Sequence, residues 1–170
     1  MGGGAADLGE PVPAGEPARA YDPTVERYGP ADVSGRTIVV GVDGSETAMR
    51  AAAYAFGLAH RQGCRLVVAF VAARSSLALT AQAAAFEHRT HMQLHEELGR
   101  EIRAHAEELA VPVTFVKVHG DPVTALREAA DCCHADTVVV GASTSAGHRI
   151  AGSVATRLIR AGHWPVVVVP

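Results

Sequence analysis

The sequence alternates short, largely apolar runs with segments whose apolar residues recur at helical spacing. Five runs are rich in valine and other apolar residues, as strands buried on both faces of a sheet require. The four segments between them place apolar residues on one face, as in helices that pack on a sheet; in the last segment these are Val154, Ala155, Leu158 and Ile159. This order predicts an α/β fold, a doubly wound parallel sheet with helices on both faces. The predicted strands are 36–42, 65–71, 112–118, 137–140 and 166–169, and the predicted helices are 46–61, 87–109, 123–133 and a last one from 153.

The first 35 residues differ in composition from the rest of the chain. Glycine, proline, alanine and glutamate dominate there, and the apolar residues show no periodicity. Such a segment buries too little apolar surface to offset the entropy of ordering. We therefore expect residues 1–35 to form a disordered tail and residues 36–170 to form one domain.

The composition argues against several classes of protein. A formal net charge of −3 gives no reason to expect nucleic acid or an anionic membrane as a partner. No apolar run reaches the length of a membrane-spanning helix, and the first residues do not resemble a secretory signal. The three cysteines, Cys64, Cys132 and Cys133, lack metal-ligand spacing and suit a reducing compartment. We expect a cytoplasmic protein.

The segment after the fourth predicted strand favours an anion site. Gly141 opens a loop rich in glycine, serine and threonine, and a helix follows with Gly152 or Ser153 as its N-cap. The first amides of a helix have no intrahelical partner and carry partial positive charge, so they attract phosphate. The alternative is that these glycines serve only the turn between strand and helix.

The topology predicts where such a site would lie. In doubly wound sheets, ligands bind beyond the C-terminal ends of the strands, where the strand order reverses. Asp43 directly follows the first predicted strand, and Gly141 ends the fourth. If these two strands are neighbours, Asp43 and Gly141 meet at that point.

Several short motifs occur in an order typical of one protein family. They are Val-Gly-Val-Asp43-Gly44-Ser45, Gly120-Asp121-Pro122 before a helix, Val-Val-Val-Gly141, Gly152-Ser153 and the terminal Pro165-Val-Val-Val-Val. With these motifs, residues 36–170 resemble the universal stress protein family. The resemblance implies a five-stranded parallel sheet of order 3-2-1-4-5 and a homodimer formed through the last strand, Val166–Val169. It also implies ATP, with or without Mg²⁺, in the branch of the family that binds nucleotide.

The resemblance further implies which residues would contact an adenine nucleotide. In the binding branch, the aspartate after the first strand contacts the adenosine portion, and the glycine-rich loop holds ribose and phosphates. Carried over to this sequence, the cofactor-binding residues are Gly41, Val42, Asp43, Val71, Val140, Gly141, Thr144, Arg149, Gly152, Ser153 and Val154.

The loop departs from the family pattern at two points. Thr144 stands where a second glycine is expected, and only seven residues separate it from Gly152, fewer than the pattern has. A threonine side chain obstructs close approach of a phosphate to the backbone, whereas His148 and Arg149 can supply charge-assisted bonds instead. Two functions therefore stay open: a nucleotide-binding regulatory protein, and a dimeric interaction module of the same fold that binds no nucleotide.

Neither catalysis nor metal binding is predicted. Ser45 next to Asp43 is interpreted as a helix cap rather than a nucleophile, and no matching base can be assigned. Weak ATP hydrolysis stays open, but nothing in the sequence requires it. His88, His91 and His95 share one helix face, yet no acidic or cysteine ligand can be assigned from another element. We interpret these histidines as a solvated rim beside the apolar stripe.

Overall fold

A computed structural model describes residues 21–31, 35–72, 81–142 and 152–170. In these residues, the first strand is followed directly by a second strand, and from there helices and strands alternate along the chain. The strands are β1 (Tyr21–Tyr28), β2 (Thr37–Val42), β3 (Arg65–Ala72), β4 (Val113–His119), β5 (Thr137–Gly141) and β6 (Val166–Val169). The helices are α1 (Glu46–Gln62), α2 (Ala81–Glu108), α3 (Pro122–Cys132) and α4 (Ser153–Ala161).

The parallel part of the sheet has the predicted order. The strands lie in the sequence β4-β3-β2-β5-β6, which is 3-2-1-4-5 when β1 is left aside. β2 pairs in parallel with β3 on one side and with β5 on the other. The strand order therefore reverses between β2 and β5, and the C-terminal ends of these two strands border one crevice.

The core consists of two apolar clusters, one on each face of the sheet. Successive strand residues point to opposite faces, so Ile38 and Val40 belong to the cluster beneath α1 and α2, and Val39 belongs to the cluster beneath α3 and α4. All three are at most 2% exposed, as the largely apolar strands predict. Phe70 and Phe115 are the largest side chains of the first cluster that are fully buried.

The prediction of a disordered tail through residue 35 was wrong for part of that segment. β1 pairs with β4 in antiparallel register, so the sheet has six strands rather than five. Tyr28 packs against the first cluster and Val25 against the second. The strand forms because β4 presents an open sheet edge with unpaired backbone groups, and a partner so distant in sequence leaves no local pattern. The rest of the predicted tail, residues 1–20 and 32–34, lies outside the described residues.

Ser45 caps a helix as predicted, and other turn and cap residues delimit α1, α3 and α4. The Ser45 hydroxyl accepts a hydrogen bond from the Ala48 amide at 3.3 Å and caps α1. Gly63 and Gly162 end α1 and α4 in the left-handed conformation. Asp121 caps α3, with Pro122 in the first turn, where its missing N–H costs nothing.

Two predictions about helix faces were wrong. His95 is 5% exposed rather than part of a solvated rim, and its ring stacks on Phe115 with centroids 4.7 Å apart. Residue 95 lies one turn before Leu98, so helical spacing turns its ring toward the sheet. Ile159, predicted on the buried face of α4, is 51% exposed because only Ala155 and Leu158 of this short helix reach the core.

Within the described ranges, no helix combines the length and apolarity needed to cross a membrane.

Candidate functional site

A cavity of about 320 Å³ lies at the C-terminal ends of β2 and β5. Its walls come from the ends of these strands, from β3, and from the first turns of α1, α3 and α4. This is the point where the strand order reverses, so the cavity occupies the place where doubly wound sheets bind ligands.

The turn after β2 holds Asp43 at the cavity wall. Asp43 Oδ1 accepts a hydrogen bond from the Ser45 amide at 2.9 Å, which closes a local Asx turn. Gly44 between them has a φ of +83°, a conformation that side chains other than glycine rarely adopt. The turn leaves Asp43 exposed, and the residue lines the cavity.

Gly141 brings β5 and α1 into close contact on the other side of the crevice. A Cβ atom at this position would lie 2.6 Å from the carbonyl carbon of Thr47 and 2.8 Å from the Ala48 amide nitrogen. The obstacle is the backbone of α1, which cannot rotate away as a side chain can. The glycine that ends β5 is therefore required by packing within the protein, independently of any ligand.

Among the described residues, no side chain caps the first turn of α4, which borders the cavity. Gly152 is the N-cap and contributes no side-chain hydrogen bond, whereas Ser45 and Asp121 do cap their helices. The first hydrogen bond of the helix runs from the Thr156 amide to the Gly152 carbonyl at 2.9 Å. The amides of Ser153 and Val154 precede that bond, and both residues line the cavity. A helix start of this kind is suited to binding an anion.

The wall formed by α3 carries a charged pair at its end. Asp121 accepts two hydrogen bonds from the guanidinium of Arg157 on α4, at 2.9 and 3.1 Å. Hydrogen bonds from this guanidinium and from the Thr124 amide lower the pKa of Asp121 to about 2. The carboxylate in turn raises the pKa of Arg157. Asp121 thus stays ionised over the whole neutral range.

The structure brings most of the predicted site residues together around this cavity. The residues of the predicted set that line it are Gly41, Val42, Asp43, Val71, Val140, Gly141, Gly152, Ser153 and Val154. The other two, Thr144 and Arg149, lie outside the described residues.

Several cavity residues escaped the sequence reasoning. They are Ser45, Thr47, Ala48, Pro122, Leu126, Ala142 and Ala155. Most of them stand within a few positions of a motif residue, at the start of a helix that follows a strand. The sequence could predict them, because the N-termini of the helices meet at this edge of a parallel sheet.

The described residues show no group of three or more His, Cys, Asp or Glu side chains that could hold a metal ion. His95 is enclosed by the rings of Phe70 and Phe115, and His91 is half-buried on the same helix. The side chain of His88 lies outside what the structure describes.

Comparison with known families decides the relationship of the chain. The family model described as the universal stress protein family matches residues 35–170. The chain belongs to the universal stress protein family. The match begins after β1, so this strand lies outside the matched region.

Individual universal stress proteins agree with this assignment. One from Methanocaldococcus jannaschii is 28% identical over 138 residues, which cover 79% of this chain and 81% of the relative. The solved structure of UspA from Lactobacillus plantarum shares the fold at a TM-score of 0.65 and 21% identity, covering 81% of this chain and 99% of its own. A universal stress protein solved in complex with cAMP is 30% identical, with a TM-score of 0.60 and coverage of 79% of this chain and 97% of its own.

Proposed function

We propose that this universal stress protein binds an adenine nucleotide in the cavity between β2 and β5 and acts as a regulatory protein. The observation that carries the proposal is the pairing of Asp43 with the uncapped start of α4 in one cavity. A carboxylate can accept hydrogen bonds from a ribose or a base, and free helix amides can donate bonds to a phosphate. The two ends of a nucleotide need these two kinds of partner.

The remaining walls fit the flat, apolar faces of a base. Val42, Val71, Val140 and Leu126 supply aliphatic surface. A volume of about 320 Å³ lies within the usual range of roughly 300–1,000 Å³ for small-molecule sites. The 30% identical relative solved with cAMP supports adenine as the base.

The number of phosphates is the finer part of the proposal. ATP is the nucleotide expected from the sequence, and the residues that would extend the site along a phosphate chain, Thr144 and Arg149, lie outside the described ranges. Asp43 is the one carboxylate among the described cavity residues. A Mg²⁺ ion would accordingly be held mainly by the phosphates and water, as is usual for this ion.

The chemistry of the described walls supports a sensing role rather than turnover. Among these residues, Asp43 is the only ionisable group, and one of its oxygens is already engaged by the Ser45 amide. General acid–base catalysis needs a positioned group that exchanges a proton near neutral pH. We therefore propose that nucleotide occupancy is the signal. The described cysteines form no disulfide, which suits the proposed action in the reducing cytoplasm.

The proposal extends to a homodimer through β6. This edge strand is apolar throughout, and all four of its residues are only half-buried. α1 and α4 pack against β6, and each carries an exposed apolar side chain, Tyr54 at 42% and Ile159 at 51%. An open apolar edge with such flanks favours pairing with a second copy.

Titration calorimetry with adenosine, AMP, cAMP and ATP tests the proposed site. Asp43→Ala should weaken all four ligands. Gly152→Val should weaken the three phosphorylated ligands by about tenfold or more, because a side chain at the N-cap crowds the phosphate, and it should leave adenosine nearly unchanged. The φ of −57° at Gly152 is accessible to valine, so the fold should persist. A folded wild-type protein that binds none of these ligands at millimolar concentration would instead support the interaction module.

A further inference from the structure

A charged pair joins two of the helices whose first turns line the cavity. Arg157 of α4 donates from Nη1 to Oδ1 of Asp121 at 2.9 Å and from Nη2 to Oδ2 at 3.1 Å. Pro122, next to Asp121, lines the cavity, and so does Ala155 on the turn of α4 that holds Arg157. The pair therefore links two walls of the candidate site.

The carboxylate of this pair is held in place before the arginine binds it. Asp121 Oδ2 also accepts hydrogen bonds from the amide and the hydroxyl of Thr124, each at 3.0 Å. Exposed ion pairs usually gain little, because two mobile side chains must be ordered. Here the bonds from Thr124 already order the Asp121 side chain. The two parallel N–H groups of the guanidinium then bond to both carboxylate oxygens.

Among the described residues, buried contacts of α4 are limited to two side chains, and no side chain caps its first turn. The helix spans nine residues, and only Ala155 and Leu158 are buried. Its N-cap is a glycine without a side-chain bond. The buried side chains attach α4 to the sheet, whereas the hydrogen bonds of Arg157 to Asp121 attach it to the start of α3. Long side chains on helices lean toward the N-terminus, so this tie acts on the turn that begins at Ser153.

We propose that Asp121 and Arg157 form a clasp that sets the position of the first turn of α4, and that Arg157 is thereby a positioning residue for the anionic part of the ligand. The inference rests on the proposed nucleotide function. The clasp fixes the direction of the Ser153 and Val154 amides, on which a phosphate depends. Adenosine, which interacts with Asp43 on the opposite side of the crevice, does not depend on the clasp.

Four variants of the full chain test the clasp by calorimetry with adenosine and AMP. Arg157→Gln and Asp121→Asn each remove the ion pair, and asparagine keeps the helix cap. The double variant completes a thermodynamic cycle. Arg160→Gln is the matched control, since Arg160 is an exposed arginine in the last turn of the same helix.

For a clasp, both single variants weaken AMP by about threefold to tenfold. The double variant is no weaker than either single variant, and adenosine affinity stays within about twofold throughout. Arg160→Gln binds both ligands as the wild type does. A loss of AMP affinity in Arg157→Gln alone overturns the clasp, because Arg157 then contacts the phosphate directly. Unchanged AMP affinity in both single variants, with a lowered melting temperature, also overturns it and leaves a purely structural pair.

The same titrations separate this inference from the proposed function. If wild-type protein binds neither adenosine nor AMP, the proposed function fails, and the clasp fails with it. If wild-type protein binds both and the variants match it, the clasp alone fails.

Discussion

The carbonyl carbon of Thr47 lies 2.6 Å from the point that a Cβ atom at Gly141 would occupy. The backbone of α1 thus contacts the end of β5 through the space left by a missing side chain. This contact closes the crevice between β2 and β5 at its base and fixes the start of α1 relative to the cavity. Gly41, on the neighbouring strand, has a different environment, since a Cβ there would meet the end of the Leu126 side chain at 2.9 Å.

These two glycines give the first prediction. Gly141→Ala should lower the free energy of unfolding by about 2 kcal/mol or more, because backbone must move. Gly41→Ala should cost about 1 kcal/mol or less, since the Leu126 side chain can change rotamer. Urea denaturation of both variants measures the difference. Equal losses at the two positions would show that α1 shifts as easily as a side chain does.

The second prediction concerns β1. A chain that starts at Gly29 should be less stable than one that starts at Ala20 by about 2 kcal/mol or more, because it loses the partly buried Val25 and Tyr28 and the pairing with β4. It should also associate, since the edge of β4 becomes free. Denaturation and light scattering on the two chains measure both effects. Equal stability would show that β1 contributes little to the stability of the fold.

The third prediction concerns the oligomeric state. The carbonyl of Pro165 accepts a bond from Val138 of β5, and that of Val169 accepts one from Ala142, directly after β5, so the amide of Val168 points away from β5 to the open edge. Val168→Pro removes this outward amide while the bonds to β5 remain, and it should convert a dimer into a monomer. Val168→Ala keeps the amide and should remain dimeric. Sedimentation equilibrium distinguishes these states, and a dimeric Val168→Pro protein would place the interface elsewhere.

The fourth prediction follows from the lowered pKa of Asp121. Burial does not cause this shift; the Arg157 guanidinium and the bonds from Thr124 do. A pKa lowered on folding stabilises the protein above the ordinary value of 3.8, and this contribution is lost as the pH falls toward about 2. The melting temperature of wild type should exceed that of Asp121→Asn at neutral pH, and the gap should shrink through this window. If the difference in melting temperature stays constant as the pH falls to about 2, titration of Asp121 does not cause it.

The fifth prediction compares adjacent cysteines. Burial raises the pKa of Cys133 to about 11, so its thiolate is scarce at pH values near 8. Cys132 is only half-buried. Iodoacetamide should therefore label Cys132 in the native protein and reach Cys133 only on unfolding. Mass spectrometry of the peptides shows which cysteine is labelled first. Early labelling of Cys133 would show that α3 opens locally.

The sequence alone determined the alternating elements, the order of the parallel strands and most of the caps. These features depend on local chemistry. A β-branched run such as 137–140 is stable only when buried on both faces, and Ser45 caps a helix through a bond to the amide three residues away. The handedness of βαβ units then restricts how such elements connect. Asp43 and Gly141 could thus be assigned to one edge of the sheet in advance.

Only the tertiary structure decided which distant segments meet. β1 pairs with β4 across a large separation in sequence, and Arg157 reaches Asp121 over 36 positions. The burial of His95 depends on the ring of Phe115, and the exposure of Ile159 depends on how little of α4 reaches the core. Contacts of this kind depend on the shape of surfaces that exist only after folding, and a pattern within one segment carries no record of them.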